Sequence, residues 1–316
     1  MREPVTPGAA EKRGVNEAGP LGFFILPPIP LVIPAREPGR NSSLRRSRDR
    51  SFRHAINPAC SLVLPSAPTI YNHGSVDIAR IAELLHPFLK LPLADAQLEQ
   101  ISTYIDLLLH WNRRINLTAV RGPEEVVTRH FGESLFLAQR LFPAARMLDA
   151  TSSVAPAPEP PGGQGPTDSD AASCQDSSVC LLDIGSGAGF PGLPIKICFP
   201  PARVTLVESR QKKVAFLREV VRALTLTNVD VFPGRAEDFP PASAQIVTLR
   251  AVERFDRVLP VAAARLAPTG LLALLIGIAQ LDRARRLLPG LDWLPPTPIP
   301  GSSARTLFLG LNRVIN

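Results

Sequence analysis

The chain has 316 residues, of which 45% are hydrophobic, so it is long enough to bury a substantial core. Its net charge of +7 is compatible with a polyanionic partner but does not require one. The four cysteines form no C-x-x-C pair, which argues against a zinc site or a disulfide framework. The apolar stretch 21–35 is too short and too rich in proline to span a membrane. We therefore expect neither a metal nor a membrane partner.

The N-terminal half divides into an irregular part and a helical part. Residues 1–75 follow no helical or strand period, so we interpret them as a disordered extension or as one that precedes the native start. Apolar residues recur every three or four positions over 78–88 and again over 98–108, which indicates two helices. A third helix is predicted to begin at Pro123, because acidic residues follow it in the first turn. We expect a small N-terminal helical subdomain at 76–148.

A segment of different composition separates this subdomain from the rest. Residues 149–179 are rich in Pro, Gly, Ser and Asp and contain no basic residue, which predicts a disordered loop insertion. At 147–153 the sequence MLDATSS resembles LLDIGSG at 181–187 but lacks the glycines. Because a tight turn after a strand requires glycine, we place the first strand at the second copy. Residues 180–316 then form the second domain.

In this second domain, short apolar stretches alternate with helical ones. Strands are predicted at 180–184, 203–207, 229–232, 245–249, 271–276 and 306–311, and helices at 190–199, 210–224 and 278–288. Such alternation is typical of an α/β protein with a mostly parallel, Rossmann-like, doubly wound sheet. The C-terminal sequence departs from it and predicts a terminal antiparallel hairpin.

The segment LLDIGSGAGFPGLPIK, which begins at Leu181, runs from a strand through closely spaced glycines into a helix. A Walker phosphate loop is excluded because no Gly-Lys-Ser/Thr follows. The G-x-G-x-x-G dinucleotide fingerprint is weakened because Phe190 occupies its third small position. The remaining loop lets a ligand lie against bare backbone and offers no lysine to a phosphate. Its pattern is Asp183-x-Gly185-x-Gly187-x-Gly189.

Two further strand ends complete a site for an adenosine. Glu208 ends the second strand, and a carboxylate there accepts both hydroxyls of a ribose. Ala236 and Glu237 follow the third strand, where they can flank an adenine ring. Together with the glycine loop, these residues favour S-adenosylmethionine as the cofactor, because it contains adenosine but no phosphate.

Several segments resemble the ribosomal RNA small-subunit methyltransferase G family, also called glucose-inhibited division protein B. They are LLLHWNRRINLTAVRGPEEVVTRHFGESL (107–135), LLDIGSGAGFPGLPIKI (181–197), VTLVESRQKKVAFLREV (204–220), GRAED (234–238) and LRAV (249–252). The resemblance implies a class I S-adenosylmethionine-dependent methyltransferase that acts in the cytoplasm on N7 of a guanine in 16S rRNA, guanine 527 in the family. It also implies that Phe190 packs at the cofactor and that Arg250 closes the site. The alternative for Arg250 is a salt bridge to Glu237.

Transfer to N7 of guanine requires alignment rather than a general base, because this nitrogen carries a free lone pair and no proton. Accordingly, no Asn-Pro-Pro-Tyr motif follows the fourth strand and no Pro-Cys nucleophile is present. We interpret Cys198 as a buried thiol. No acid or base is assigned, and Arg250 is the candidate for orientation and electrostatics.

Basic side chains on two helical stretches are the candidates for binding 16S rRNA or the small ribosomal subunit. Arg129 and His130 either contact phosphate or pair locally. The helix after the second strand supplies Arg210, Lys212 and Lys213. We expect the protein to act as a monomer.

One departure from the family pattern lies at the end of the fifth strand. The family commonly has a lysine before a glycine there, whereas Leu275 and Ile276 precede Gly277 in this chain. The residues also leave open a methyltransferase for a small molecule or a protein, and a non-catalytic protein that binds S-adenosylmethionine. A nicotinamide-dependent dehydrogenase is the least favoured alternative.

Overall fold

A computed structural model describes residues 76–142, 179–251 and 254–312. The predicted extension at 1–75, the MLDATSS copy and all but the last residue of the predicted insertion lie outside the described residues. The domain limits at 148 and 180 therefore stay predictions.

The first described segment is helical, as predicted. Its elements are α1 (Ile78–Leu85), a 3-10 turn (His86–Phe88), α2 (Asp95–Asn112), α3 (Pro123–Val126), a π-helical segment (Val127–Gly132) and α4 (Glu133–Leu141). The side chain of Asp77 caps α1 by accepting a hydrogen bond from the Ala79 amide at 3.1 Å. The third helix does begin at Pro123. The π-helical segment was not predicted, because apolar spacing does not specify where a helix widens.

The second described part contains a mixed sheet. Its strands are β1 (Cys180–Ile184), β2 (Arg203–Val207), β3 (Val229–Phe232), β4 (Ala244–Arg250), β5 (Leu266–Gly277), β6 (Leu291–Trp293), β7 (Thr297–Pro298) and β8 (Arg305–Asn312). Its helices are α5 (Gly192–Cys198), α6 (Gln211–Ala223), α7 (Phe255–Ala263) and α8 (Leu281–Leu287). The helix α7 lies in the gap between the fourth and fifth predicted strands, and it carries a proline, Pro260, inside the helix.

The strand order is β3-β2-β1-β4-β5-β8-β6, and β7 pairs with β8. Strands β3, β2, β1, β4 and β5 are parallel, whereas β8 runs antiparallel to β5, β6 and β7. This confirms the predicted α/β fold with a mostly parallel sheet and antiparallel pairing at its C-terminal side.

The topology places the predicted site at one edge of the sheet. The chain leaves β1 toward β2 and β3 on one side and returns to β4 and β5 on the other, so β1 and β4 flank the switch point. Ile184 at the end of β1 is in register with Val207 of β2 and with Leu249 of β4. The loops that follow these three strands are therefore neighbours.

The helical segment packs against the helices of the sheet. The Gln97 side-chain amide donates to the carbonyl of Ile197 at 2.7 Å, beyond the glycine loop in α5. The Trp111 ring lies edge-on to Phe216 of α6 with the centroids 5.8 Å apart. Trp111 therefore has a packing role.

Candidate active site

The glycine loop turns sharply at the end of β1. The amides of Gly185 and Ser186 both donate to the carbonyl of Val207, at 2.9 and 3.1 Å. Gly185, Gly187 and Gly189 have φ values of +70°, +57° and +88°, in the left-handed region that favours glycine. A methyl group at Gly185 would meet no atom within 4 Å. The loop therefore presents bare backbone to open space at its first glycine.

Asp183, the first residue of the loop pattern, anchors the loop through hydrogen bonds of its side chain. Its carboxylate accepts hydrogen bonds from the Thr248 hydroxyl of β4 at 2.8 Å and from the Gly192 amide at 3.2 Å. The side chain is fully buried, and this burial raises the pKa of Asp183 to about 6. Asp183 therefore links β1 to β4 and to the start of α5, and does not face solvent.

Glu208 lies at the end of β2, where the sequence predicts a carboxylate that binds a ribose. It directly follows β2, and its two carboxylate oxygens accept hydrogen bonds from the amides of Gly187 at 3.0 Å and Arg210 at 2.8 Å. Each carboxylate oxygen can accept a further hydrogen bond. Glu208 thus joins the glycine loop to the start of α6 and retains acceptor capacity.

The third predicted element forms a 3-10 turn after β3. Within it, Ala236 is buried and Glu237 is exposed, with its side chain 3.4 Å from Arg257. The buried Arg265 donates to the carbonyls of Ala236 and Glu237, at 2.8 and 2.9 Å. The role of Arg265 was not predicted from the sequence, because no pattern indicates that an arginine before β5 binds the carbonyl groups of this distant turn.

Phe190 belongs to an aromatic cluster that consists of Tyr104, His130, Phe131 and Phe190. The Phe190 ring is parallel to Tyr104 at a centroid distance of 5.4 Å, stacks on His130 at 4.8 Å and meets Phe131 edge-on at 5.1 Å. Phe190 is buried, and its neighbours in the cluster come from the helical segment. A contact between Phe190 and a cofactor stays a prediction.

Arg250 ends β4, and its partner is Glu133 of α4. The two groups form a buried ion pair with 3.0 Å between Arg250 Nη2 and Glu133 Oε2. The same oxygen lies 3.1 Å from Arg305 Nη2 at the start of β8. The interpretation that Arg250 pairs with Glu237 is wrong, because Glu237 is near Arg257 instead. Nothing in the sequence indicated that Glu133 and Arg305 are partners, since Glu133 is distant from both arginines along the chain.

His130 is held by local pairing rather than exposed to a phosphate. Arg250 Nη2 donates to His130 Nδ1 at 2.9 Å, which leaves the proton on Nε2, where it is donated to the Thr118 hydroxyl at 2.6 Å. Burial, together with the charges of Arg250, Arg129 and Arg305, lowers the pKa of His130 to about 3. Arg129 is half exposed and pairs with Glu125 at 2.8 Å.

Three basic residues follow the carboxyl end of β2, at the edge of the sheet that carries the glycine loop: Arg210, Lys212 and Lys213. Arg210 and Lys212 are exposed, and Lys213 is half-buried. A methyl group at Gly187 would lie 3.8 Å from Lys213 Nζ, so this ammonium group is next to the loop. The structure therefore brings three of the predicted RNA-binding residues close to the predicted cofactor site.

Comparison with known proteins identifies the family. A family model of rRNA small subunit methyltransferase G matches residues 97–152 and 170–287, which is more than half of the chain. The chain belongs to this family. The match includes the glycine loop, Glu208, Arg250 and the helices that carry Tyr104 and Glu133.

Individual relatives agree with this assignment. The chain is 37% identical over 172 residues to ribosomal RNA small subunit methyltransferase G of Streptococcus pneumoniae (strain G54), and the match covers 52% of this chain and 59% of the relative. The corresponding protein of Streptococcus pyogenes serotype M12 is 38% identical over 169 residues, covering 52% and 58%. The chain thus spans less than two thirds of the length of these relatives.

Among solved structures, that of a predicted O-methyltransferase from Agrobacterium tumefaciens superimposes on this chain with a TM-score of 0.39 at 20% identity. The superposition covers 45% of this chain and 77% of that one.

Two further buried residues lie in α5. Cys198 is buried, and burial raises the pKa of its thiol to about 12, which confirms the prediction of a buried thiol. Lys196 donates to the carbonyls of Pro200 and, at 2.7 Å, Ala202. This lysine caps the C-terminal end of α5.

The described parts of the chain contain no helix with the length and hydropathy to cross a bilayer, and no group of side chains suited to a metal ion.

The buried neutral imidazole predicts a pH dependence of stability. His130 titrates near pH 3 in the folded protein and near 6.5 when unfolded, so only the unfolded state binds a proton between these values. The stability that this group contributes is complete above pH 6.5 and is lost as the pH falls toward 3, by up to about 5 kcal/mol. We expect the stability difference between wild type and His130→Asn to shrink over this range in urea titrations.

Two features make this comparison specific. The pKa of Asp183 is raised to about 6, so the stability that this carboxyl group contributes is lost as the pH rises, which is the opposite direction. Because Asp183 is present in both proteins, its contribution cancels in the difference. His86→Asn, at an exposed position, is the control and should leave the pH profile unchanged. A constant difference between wild type and His130→Asn from pH 7 to pH 4 would contradict the neutral state of His130.

Proposed function

We propose that this protein transfers a methyl group from S-adenosylmethionine to N7 of a guanine in 16S rRNA, the family target being guanine 527. The observation that carries the proposal is the glycine loop, which exposes bare backbone at Gly185 and is tied at Gly187 to the carboxylate of Glu208. Membership of the methyltransferase G family supports the same reading. We further propose that the protein acts as a cytoplasmic monomer on naked rRNA or on the small ribosomal subunit.

The residues of this edge fit the cofactor. Gly185 leaves open space, Glu208 retains acceptor capacity for ribose hydroxyls, and the Ala236–Glu237 turn is fixed through its carbonyls by Arg265. The glycine loop itself contains no lysine or arginine, and the cation next to it, Lys213, belongs to the start of α6. On the β1 side, the cofactor would lie against Gly185, Gly187, Gly189 and Phe190. Arg250 would close the site from β4.

The chemistry requires little of the protein beyond positioning. The cofactor supplies a methyl group on a positively charged sulfur, which makes that carbon electrophilic. Because N7 carries a lone pair and no proton, no residue of this chain would have to accept a proton from the guanine. The methylated guanine would carry positive charge, so the neutral state of His130, which contacts Arg250 at the end of β4, avoids adding a further cation to those of Arg250 and Arg305. The protein's contribution is to align N7 and to exclude water.

The RNA backbone requires a separate, basic surface. We propose that Arg210, Lys212 and Lys213 at the start of α6 contact phosphates, with Arg129 as a further contact. Arg129 is compatible with this role because its ion pair with Glu125 is exposed and is therefore weak. His130 no longer belongs to this surface, since both of its ring nitrogens are occupied.

The decisive test is methyl transfer to small ribosomal subunits from a strain that lacks the endogenous enzyme. The product is mapped by strand cleavage specific for N7-methylguanine. The wild type is expected to produce a single new cleavage site in 16S rRNA. Glu208→Gln is expected to weaken S-adenosylmethionine binding about 10- to 100-fold, because hydrogen bonds to a charged acceptor are lost. Asp230→Asn, an exposed acid on β3, is the matched control and should behave as wild type.

Three results would contradict the proposal in different ways. Methylation of a small molecule or a protein without RNA would assign a different substrate. Cofactor binding without transfer to any RNA would indicate a non-catalytic binding protein. Equal cofactor affinity of Glu208→Gln and wild type would move the ribose site away from β2.

A further inference from the structure

Tyr104 lies within α2 and is completely buried behind the glycine loop. Its hydroxyl donates a hydrogen bond to the carbonyl of Ala188, the residue between Gly187 and Gly189. Its ring lies parallel to that of Phe190, with 1° between the planes and 5.4 Å between the centroids. A single side chain of the helical segment therefore contacts both the backbone and a side chain of the loop.

This contact is tight. A methyl group at Gly189 would collide with the Tyr104 hydroxyl and with the side chain of Leu193. Ala188 is itself buried, so its carbonyl would be left poorly solvated without the hydroxyl. The Tyr104 ring is in turn held edge-on by Phe131 at 5.1 Å, so the hydroxyl has little freedom to move away. The first half of the loop is tied to β2 and Glu208, and Tyr104 supports the second half.

We infer that Tyr104 is a positioning residue, which fixes the second half of the glycine loop and thereby sets the affinity of the protein for S-adenosylmethionine. This inference rests on the proposed function, because it takes the glycine loop as the cofactor site. Tyr104 is buried behind the loop and acts through Ala188 and Phe190. A loop that is already in its binding conformation loses less conformational entropy when the ligand binds.

Tyr104→Phe tests the inference, because it keeps the ring stack and removes only the hydroxyl. We expect the dissociation constant for S-adenosylhomocysteine, measured by calorimetry, to rise about 5- to 10-fold, as for the loss of one buried hydrogen bond. The KM for S-adenosylmethionine should rise by a similar factor, whereas kcat and the affinity for 16S rRNA should change less than about twofold. A role in stability alone would not move the cofactor KM selectively.

The matched control is Thr306→Val on β8. This substitution also removes a buried hydroxyl that donates to a backbone carbonyl, that of Thr297 at 2.9 Å, but it lies away from the glycine loop. It should lower thermal stability without changing the affinity for S-adenosylhomocysteine. Equal loss of affinity in Thr306→Val and Tyr104→Phe would overturn the inference, and so would wild-type affinity in Tyr104→Phe. A wild-type protein that binds no S-adenosylhomocysteine would instead overturn the proposed function, and the inference with it.

A second measurement needs no change at Tyr104. The chain has two tyrosines, so tyrosine-labelled protein gives two sets of ring signals in NMR, and Tyr71→Phe assigns them. Binding of S-adenosylhomocysteine should shift the ring signals of Tyr104 through its contacts with Ala188 and Phe190. Unchanged Tyr104 signals at saturating ligand would contradict the inference.

Discussion

Replacement of Glu133 by glutamine is expected to lower the free energy of unfolding by about 3 to 5 kcal/mol. One carboxylate oxygen of Glu133 serves both Arg250 and Arg305, at 3.0 and 3.1 Å. The side chains of Glu133 and Arg250 are only 4% and 7% exposed, so water cannot replace the lost charge. Burial, together with the charges of Arg305 and Arg129, lowers the pKa of Arg250, and Glu133 opposes this effect. Without the carboxylate, two guanidinium groups would remain near each other with no counter-charge.

Glu125→Gln is the matched control for this prediction. Glu125 pairs with Arg129 at 2.8 Å, but both side chains are 49% exposed, and such surface pairs contribute less than about 1 kcal/mol. Both variants should be unfolded with urea at pH 7 and compared with wild type. Losses of equal size would show that the buried pair does not anchor α4 to the end of β4. At temperatures where Glu133→Gln remains folded, we also expect slower methyl transfer, because Arg250 loses its fixed orientation.

The part of the site that lies on the sheet was predictable from the sequence. Glu208 directly follows a strand that has the predicted bounds, 203–207, and the glycines follow one at 180–184. Parallel strands place their carboxyl ends at one edge, so residues that follow such strands come together regardless of their distance along the chain. The tight turn also required glycine at defined positions, which is why the first strand was predicted at 180–184.

The contacts between the helical segment and the sheet were not predictable in this way. Glu133 and Arg250 are 117 positions apart, and Tyr104 and Ala188 are 84 apart. Apolar spacing shows that a helix has a buried face but does not show what that face contacts. The alternative for Arg250 was a structural salt bridge, which is observed, but its partner is Glu133 and not Glu237, because only residues of the same sheet edge were considered. The π-helical segment that carries His130 has no signature in the apolar pattern either.

The helical segment therefore contributes to the site at two places. Tyr104 supports the glycine loop after β1, and Glu133 with His130 holds Arg250 after β4. Phe190 connects the two places, because its ring contacts both Tyr104 and His130. These contacts explain why the sheet alone does not determine the geometry of the candidate site.

Alanine at Gly189 and alanine at Gly185 are expected to have opposite consequences, although both glycines have positive φ, +88° and +70°. Each substitution strains the backbone by about 1 to 2 kcal/mol. At Gly189 the new methyl group would also collide with Tyr104 and Leu193, which adds about 1 to 3 kcal/mol of overpacking. At Gly185 it would meet no protein atom within 4 Å. Gly189→Ala should therefore be clearly the less stable protein in thermal and urea unfolding.

If the cofactor occupies the space at Gly185, the order of the two variants reverses when cofactor affinity is compared instead of stability. A methyl group there would then occupy volume that the ligand needs, and we expect Gly185→Ala to bind S-adenosylhomocysteine at least about tenfold more weakly than wild type, while remaining well folded. Calorimetric titration of the folded variant measures this directly. If Gly185→Ala bound S-adenosylhomocysteine as tightly as wild type, the open face of the loop would not be the ligand face. The proposed function would then lose the observation on which it most depends.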